Sequence, residues 1–270
     1  MNITFVKSKW EMWHEPLERF LERTAADGFT ATEIFLKTEK APADEISAMH
    51  REWGLDLVGQ ILTDGRNPDD HIRSLEEQFE FALACGPIRI NHHAGRDIFP
   101  FDENVRILQR MIDLGREAGV SVVAETHRGR PTFAATETRR YMAALPELRL
   151  TADFSHWMVV HESDLADQES TLALAIERSD HIHARVGYEE GPQITDPRAP
   201  EWRGHVERHV NLWRRIVDRH RHEGSEGLTI TPEFGPPNYM HTLPFTNEAV
   251  RDAWEVNVYM RDMLTEALKE

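Results

Sequence analysis

Acidic side chains end short apolar segments at three places in the chain. Glu125 closes the segment VVAE, Asp153 closes LTAD and Glu233 closes ITPE. A lone buried carboxylate is costly to desolvate, so three of them in such positions suggest a shared cation. His181 and His183 alternate in the segment HIHAR and point to one strand face, so one imidazole, His183, can complete the set. This oxygen-rich set suits Mn²⁺, Mg²⁺, Co²⁺ or Zn²⁺ better than a metal that prefers thiolates.

Other chemically capable side chains occur next to the same segments. Imidazoles move protons near neutral pH, a guanidinium binds hydroxyl or anionic groups, and aromatic rings pack against the C–H faces of sugars. The candidates for contacts with a substrate are His93, His127, His156, Trp157 and Arg185. Each also has a plainer interpretation, as a packed side chain or as one partner of an ion pair.

These residues need a scaffold that brings separate chain segments together, and the sequence supplies a regular one. Eight short apolar runs alternate with amphipathic helical stretches, many of which end at a glycine. The runs cover residues 3–7, 30–36, 56–62, 88–92, 120–125, 148–153, 181–186 and 228–233. Continuous apolar runs of this kind are typical of parallel strands that are covered by helices.

Eight β–α units in 270 residues predict an α/β fold, a (β/α)₈ TIM barrel that forms a single domain over residues 1–270. An open doubly wound sheet is the alternative, because each βαβ unit looks the same in both folds. Its dinucleotide-binding version is disfavoured, since the first run continues as KSKW without a glycine-rich phosphate loop. In a barrel the carboxyl ends of all strands meet at one mouth, where the candidate residues would converge.

In strand order, the motifs VVAETH, DFSHW, HIHAR and TPEFGP resemble the xylose-isomerase-like barrel superfamily. Its members include sugar phosphate isomerases and epimerases, ketose 3-epimerases, hydroxypyruvate isomerases, inosose dehydratases and endonuclease IV-type repair enzymes. The resemblance extends over the whole chain. It implies a metal-dependent enzyme, and it is more specific for the metal site than for the substrate.

The resemblance also implies roles for particular residues. Glu125, Asp153, His183 and Glu233 match the ligands of one divalent metal ion, for which Mn²⁺ is our first expectation. His156 matches a histidine that contacts substrate oxygen, and Arg185 lies one alternation beyond His183.

The implied reaction is proton abstraction next to a carbonyl, through a metal-stabilised enediolate. Glu125 and Glu233 match the two glutamates that flank the substrate in the 3-epimerases. One would remove the proton and the other would return it, or one would carry it to the next carbon in an isomerase. We therefore expect Glu125, Glu233 and His156 to be catalytic, and His93, His127, Trp157 and Arg185 to bind substrate.

A β-eliminating lyase is the main alternative. Inosose dehydratases and lyases of 3-keto-glycosides begin with the same deprotonation but also need an acid that protonates a leaving group. His93, His127 and His156 are candidates for that acid. A non-catalytic sugar-binding protein would need no metal, so metal analysis separates it from both enzymes.

An endonuclease IV-like DNA repair enzyme is less consistent with the sequence. The segment DPR at 196–198 lacks the histidine of the expected Asp-x-His pair, and Gln60 stands where these nucleases have a ligand histidine. The formal net charge of −16 repels a phosphate backbone. We expect a carbohydrate as the small-molecule partner and no nucleic acid.

Composition provides the remaining expectations. No apolar run approaches the roughly 20 residues that span a bilayer, and the N-terminus does not read as a signal peptide. Cys85, the single cysteine, has no partner for an internal disulfide. We therefore expect a cytoplasmic protein without a membrane partner, and the resemblance implies a homodimer or a homotetramer.

Overall fold

The computed structural model describes residues 1–269 and contains a closed barrel of eight parallel strands in sequence order, in which β1 pairs with β8. The strands are β1 (Asn2–Ser8), β2 (Ala31–Phe35), β3 (Asp56–Leu62), β4 (Arg89–His93), β5 (Ser121–Glu125), β6 (Leu150–Ala152), β7 (Ser179–His183) and β8 (Gly227–Thr231). The predicted TIM barrel is confirmed, and the open doubly wound sheet is wrong because β1 and β8 close the ring.

Helices surround the barrel. They are α1 (Leu17–Ala26), α2 (Ala43–Trp53), α3 (Pro68–Ala84), α4 (Phe101–Ala118), α5 (Ala135–Ala144), α6 (Phe154–His161), α7 (Glu169–Arg178), α8 (Arg203–His222) and α9 (Ala253–Ala267). Local sequence fixes several ends. α3 begins after Asn67, whose side chain accepts a hydrogen bond from the Asp70 amide, and Pro68 is its first residue. α2 ends at Gly54, whose φ of 63° suits glycine.

The apolar core lies mainly between the strands and the helices, and its members include Phe20, Leu75, Met111 and Trp213. Small residues occupy one part of the barrel, where Val6, Ala31 and Val58 pack together. These three side chains fill part of the barrel interior, and in barrels of this type the functional groups collect at the carboxyl ends of the strands.

Four predicted strands, β2, β6, β7 and β8, end earlier than expected. β6 stops at Ala152, β7 at His183 and β8 at Thr231, so Asp153, Arg185 and Glu233 lie just beyond strand ends. Asp153 caps α6 by accepting a hydrogen bond from the Ser155 amide, and this helix start ends the strand. Within residues 1–269, no helix is both long and apolar enough to cross a membrane.

A buried aspartate links the long segment after β7 to the one after β8. Asp196 accepts hydrogen bonds from Arg198 at 2.8 Å and from Arg251 Nε at 2.7 Å. Burial alone would raise the pKa of Asp196, but these hydrogen bonds lower it to about 2. The ion pairs thus tie together two segments at the mouth of the barrel.

This linkage predicts a pH-dependent contribution to stability. Because the folded-state pKa of Asp196 lies below its unfolded value, the contribution is complete above about pH 4 and declines as the pH falls towards 2. Asp196→Asn should lower the free energy of unfolding at pH 7 by about 1 kcal/mol, since both arginines are partly exposed. Denaturant unfolding of both proteins at pH 7 and pH 3 measures this difference; a gap that stays constant with pH would contradict the assignment.

Candidate active site

A cavity of about 430 Å³ opens at the carboxyl ends of the strands. Its polar surface includes Glu33, His93, Glu125, Arg185 and Glu233. Its aromatic lining includes Trp10, Trp13 and Tyr239, from the segments after β1 and β8. The cavity therefore combines a charged region with apolar walls, which is typical of sites for small polar ligands.

Four acidic or imidazole side chains converge beside this cavity. The structure brings one potential ligand atom each of Glu125, Asp153, His183 and Glu233 within 4.8 Å of one another. All four side chains are buried, and they belong to the ends of four successive strands. Glu125 and Glu233 line the cavity, whereas Asp153 and His183 lie behind its surface. The convergence that the sequence predicts is therefore present.

His183 has two different nitrogen environments. Its Nε2 lies 3.0 and 3.1 Å from the two carboxylate oxygens of Glu33 and donates to that group. Its Nδ1 lies 2.9 Å from Glu233 and 3.3 Å from Glu125, yet makes no hydrogen bond within residues 1–269. A buried ring nitrogen that makes no hydrogen bond and lies close to two carboxylates is suited to bind a cation together with them.

Glu33 is a site residue that is missing from the sequence predictions. It lies on β2, and its carboxylate contacts both His183 and His181, with the Nε2 of His181 at 3.3 Å. Asn91, on β4, connects the same group to the cluster of Glu125, Asp153, His183 and Glu233 by donating to Glu33 at 2.8 Å and to Glu125 at 3.0 Å. Glu33 stands inside an apolar run and not at its end, so only the presence of an acid among buried residues could have indicated it.

Arg185 is buried in the centre of the site. Its guanidinium contacts the Asp153 carboxylate, lies 3.6 Å from Glu233, and donates to His156 Nε2 at 2.8 Å. Burial opposes its charge, but Asp153 and Glu233 together raise the pKa of Arg185 above its ordinary value. Arg185 is therefore one partner of a buried ion pair, and it also lines the cavity.

The three predicted histidines form a row. His93 contacts Glu125, the rings of His93 and His127 are 4.7 Å apart, and those of His127 and His156 are 4.0 Å apart. Burial lowers the pKa of His127 to about 3, with His93 adding to the effect. Burial also lowers the pKa of His156 well below its ordinary value, helped by His127 and Arg185. Both rings are thus neutral at neutral pH.

Trp157, which the sequence predicts to bind substrate, does not line the cavity. It is fully buried in the apolar core, where it packs on Phe154, and its indole N–H donates to the Thr132 carbonyl at 2.9 Å. The reason is helical geometry, because α6 begins at Phe154 and directs Trp157 away from the cavity. Aromatic contacts with a ligand are instead available from Trp10 and Tyr239.

The charge balance of the site favours a bound cation. Glu33, Glu125, Asp153 and Glu233 are all buried, whereas Arg185 is the one guanidinium in contact with them among residues 1–269. Burial lowers the pKa of His183, but Glu233, Glu33 and Glu125 raise it well above its ordinary value. A divalent cation would neutralise this excess of negative charge. Such an ion would replace the Nδ1 proton of His183 and would be held by three carboxylates and that imidazole nitrogen.

Comparison with solved structures shows the fold. A 3-keto-D-glucoside 4-epimerase from E. coli has a TM-score of 0.66 at 14% identity, over 98% of this chain and 100% of that chain. A probable 3-DHS dehydratase from Bacillus anthracis has 0.63 at 14%, over 97% and 98%. A xylose isomerase-like TIM barrel protein from Mycobacterium smegmatis, in complex with magnesium, has 0.67 at 13%, over 98% of both chains.

Sequence comparison defines the family. A search of curated proteins finds no match to this chain. The sequence profile described as xylose isomerase-like TIM barrel matches residues 21–249, most of the eight β–α units. The expected resemblance is thereby confirmed, and the chain belongs to the xylose isomerase-like TIM barrel family.

Proposed function

We propose that the protein is a divalent-metal-dependent sugar isomerase or epimerase that abstracts a proton next to a carbonyl. One observation carries this proposal: the carboxylates of Glu125 and Glu233 both line the cavity, and both lie within 3.3 Å of the Nδ1 of His183. Two carboxylates that face the cavity can exchange protons with a substrate. Asp153 and His183, behind the cavity surface, would complete the set of metal ligands.

The residues that would hold the metal ion are Glu125, Asp153, His183 through Nδ1, and Glu233. A bound divalent cation would act as a Lewis acid, which polarises a carbonyl and makes the neighbouring C–H acidic. Oxygen donors predominate in this set, so Mn²⁺ is our first choice, with Mg²⁺, Co²⁺ and Zn²⁺ as alternatives. The magnesium complex of a structurally similar protein agrees with this chemistry.

The proton steps belong to Glu125 and Glu233. One carboxylate would remove the proton from the carbon next to the carbonyl, and the other would return a proton for epimerisation. In an isomerisation, one of them would carry the proton to the adjacent carbon. Arg185 also lines the cavity, and its fixed guanidinium would stabilise the enediolate charge that develops on the substrate.

The aromatic walls support a carbohydrate substrate. Trp10 and Tyr239 are in edge contact, with ring centroids 4.7 Å apart, and both line the cavity. Gly235 permits this packing, because a Cβ there would lie 2.4 Å from the Trp10 ring. Such rings pack on sugar C–H faces and exclude water from the reacting atoms.

A β-eliminating lyase or dehydratase is the second candidate, favoured by the row of histidines and by the similarity to the probable dehydratase. Hydrogen bonding limits which histidine could be its acid. The two ring nitrogens of His156 lie 3.0 Å from Arg128 Nε and 2.8 Å from an Arg185 guanidinium nitrogen, so an added proton would face two guanidinium groups. His93, which lines the cavity, is the better acid for this reaction. We rank isomerase or epimerase first, because the lyase needs this additional acid and the isomerase or epimerase does not.

Deuterium incorporation separates the two reactions. The purified protein with added Mn²⁺ is incubated in D₂O with ketoses, inososes and 3-keto-glycosides, and products are analysed by NMR. We expect deuterium at a carbon next to the carbonyl without loss of a group. Release of water or an aglycone would instead identify the lyase, and no exchange in any substrate class would contradict the proposal.

Replacing one cavity carboxylate tests the proton steps. Glu233→Gln preserves the size of the side chain but removes its basic charge, so kcat should fall by about 10³-fold or more while the fold is retained. Glu226→Gln, at an exposed position just before β8, is the matched control and should keep normal turnover. Steady-state kinetics and circular dichroism provide the measurements. Near-normal turnover by Glu233→Gln would refute its role.

Glu33 should control the affinity for the metal ion through His183. Its carboxylate accepts from Nε2 and so keeps the lone pair of Nδ1 directed at the cluster. Outer hydrogen-bond partners of this kind typically contribute about 10- to 100-fold in metal affinity, so Glu33→Gln should weaken Mn²⁺ binding by that factor. Calorimetric titration of the metal-free protein measures it, again with Glu226→Gln as control. Equal affinities of Glu33→Gln and wild type would show that Glu33 does not orient His183.

A further inference from the structure

A second cavity, of about 500 Å³, lies beside the active-site cavity and shares part of its wall. Phe35, Thr38 and Leu62 line both cavities, so a ligand in the first can extend into the second. The segments after β2, β3, β4 and β5 form the second cavity. We call it the basic groove, because its lining includes Lys37, His71, Arg96 and Arg130.

The two arginines of the groove lack a close counter-ion. Arg130 is partly buried, donates to the Gly95 carbonyl at 3.2 Å, and has no carboxylate within 4.0 Å among residues 1–269. Arg96 has Asp97 at 3.9 Å, the outer limit of an ion pair. Burial and the charge of Arg96 both lower the pKa of Arg130. Two like charges are therefore held near each other with only the distant Asp97 and Glu125 to offset them, and an anion in the groove would relieve their repulsion.

Lys37 differs from the arginines because it is already paired. Its ammonium group contacts the Asp64 carboxylate, and both side chains are largely exposed. This pair is formally neutral, so it does not cancel the charge of the two arginines. The groove thus retains a local positive charge although the chain as a whole has a formal charge of −16.

A buried histidine adds a hydrogen-bond donor. His71 is fully buried, and its Nδ1 lies 2.7 Å from the Thr63 hydroxyl, whereas that hydroxyl lies 3.4 Å from the His93 carbonyl. When Thr63 donates to Nδ1, the ring proton is on Nε2, and an acceptor at Nε2 would select this tautomer. Within the described chain Nε2 has no hydrogen-bond partner, and His71 lines the groove. A buried ring nitrogen without a partner calls for a hydrogen-bond partner, which an oxyanion can supply.

We propose that the basic groove binds an oxyanion, a phosphate or a carboxylate, carried by the end of the substrate remote from the reacting carbons. The oxyanion site itself is inferred from the groove. That the oxyanion belongs to a sugar substrate rests on the proposed function. Guanidinium groups and an imidazole N–H are matched donors for the oxygens of such a group. The substrate class is then an anionic sugar and not a neutral one.

Anion binding can be measured without turnover. Metal-free protein is titrated with inorganic phosphate and, separately, with acetate, and binding is followed by calorimetry and by the shift in Tm. We expect wild-type protein to bind at least one of these probes. Preference for phosphate indicates a phosphorylated sugar, whereas acetate binding of equal or greater strength indicates a sugar acid.

Variants assign the binding to the groove. Arg130→Gln and Arg96→Gln should each weaken binding of the preferred probe by about tenfold or more, and Arg130→Lys should restore part of it. Arg96 is partly exposed and is suited to test the groove even if Arg130→Gln fails to fold. Arg139→Gln is the control, because Arg139 is exposed on α5 and bonds to Ser170. Absence of binding by wild type, or undiminished binding by the folded groove variants, would overturn the proposal.

The same titration separates this inference from the proposed function. Glu233→Gln, which should lose turnover, should bind the probe as wild type does, because Glu233 does not line the groove. If no sugar shows deuterium exchange while the groove variants lose anion binding, the reaction is wrong and the anion site remains. If exchange occurs with neutral sugars alone and wild type binds neither probe, the groove inference is wrong and the reaction remains.

Discussion

The constraint on which the site depends is the burial of four carboxylates around one imidazole. Glu33, Glu125, Asp153 and Glu233 are removed from water, and their mutual repulsion is only partly offset by Arg185 and by hydrogen bonds. Such a cluster is expensive for the fold unless a cation completes it. The rigid barrel therefore holds an excess of buried negative charge in place, and this excess would attract the cation on which the proposed function depends.

The closed barrel makes this cluster possible because it fixes side chains from distant parts of the sequence. Glu33 and His183 are 150 residues apart in the chain, yet they are hydrogen-bonded across the barrel interior. Strand alternation turns these side chains inward, and the apolar packing of Val6, Ala31 and Val58 occupies another part of the interior. The orientation of His183, just at the end of β7, then depends on β2, which carries Glu33, although β8 and β1 lie between these two strands.

Much of the fold and the acidic cluster could be predicted from sequence because both have local signals. Apolar runs mark the strands, and an acid or imidazole at a strand end marks Glu125, Asp153, His183 and Glu233. Features that depend on side-chain direction could not be predicted equally well. The direction of Trp157 is set by the exact first residue of α6. The basic groove has no sequence motif, because separate segments contribute its charges.

The central claim is that one divalent cation is shared by Glu125, Asp153, His183 and Glu233. Anomalous diffraction from crystals of the protein grown with Mn²⁺ tests it most directly. The account predicts a single strong peak with donor atoms of all four side chains at about 2.0 to 2.3 Å. The absence of a peak at the cluster at saturating Mn²⁺, with Arg185 still paired with Asp153 and Glu233, would contradict the claim.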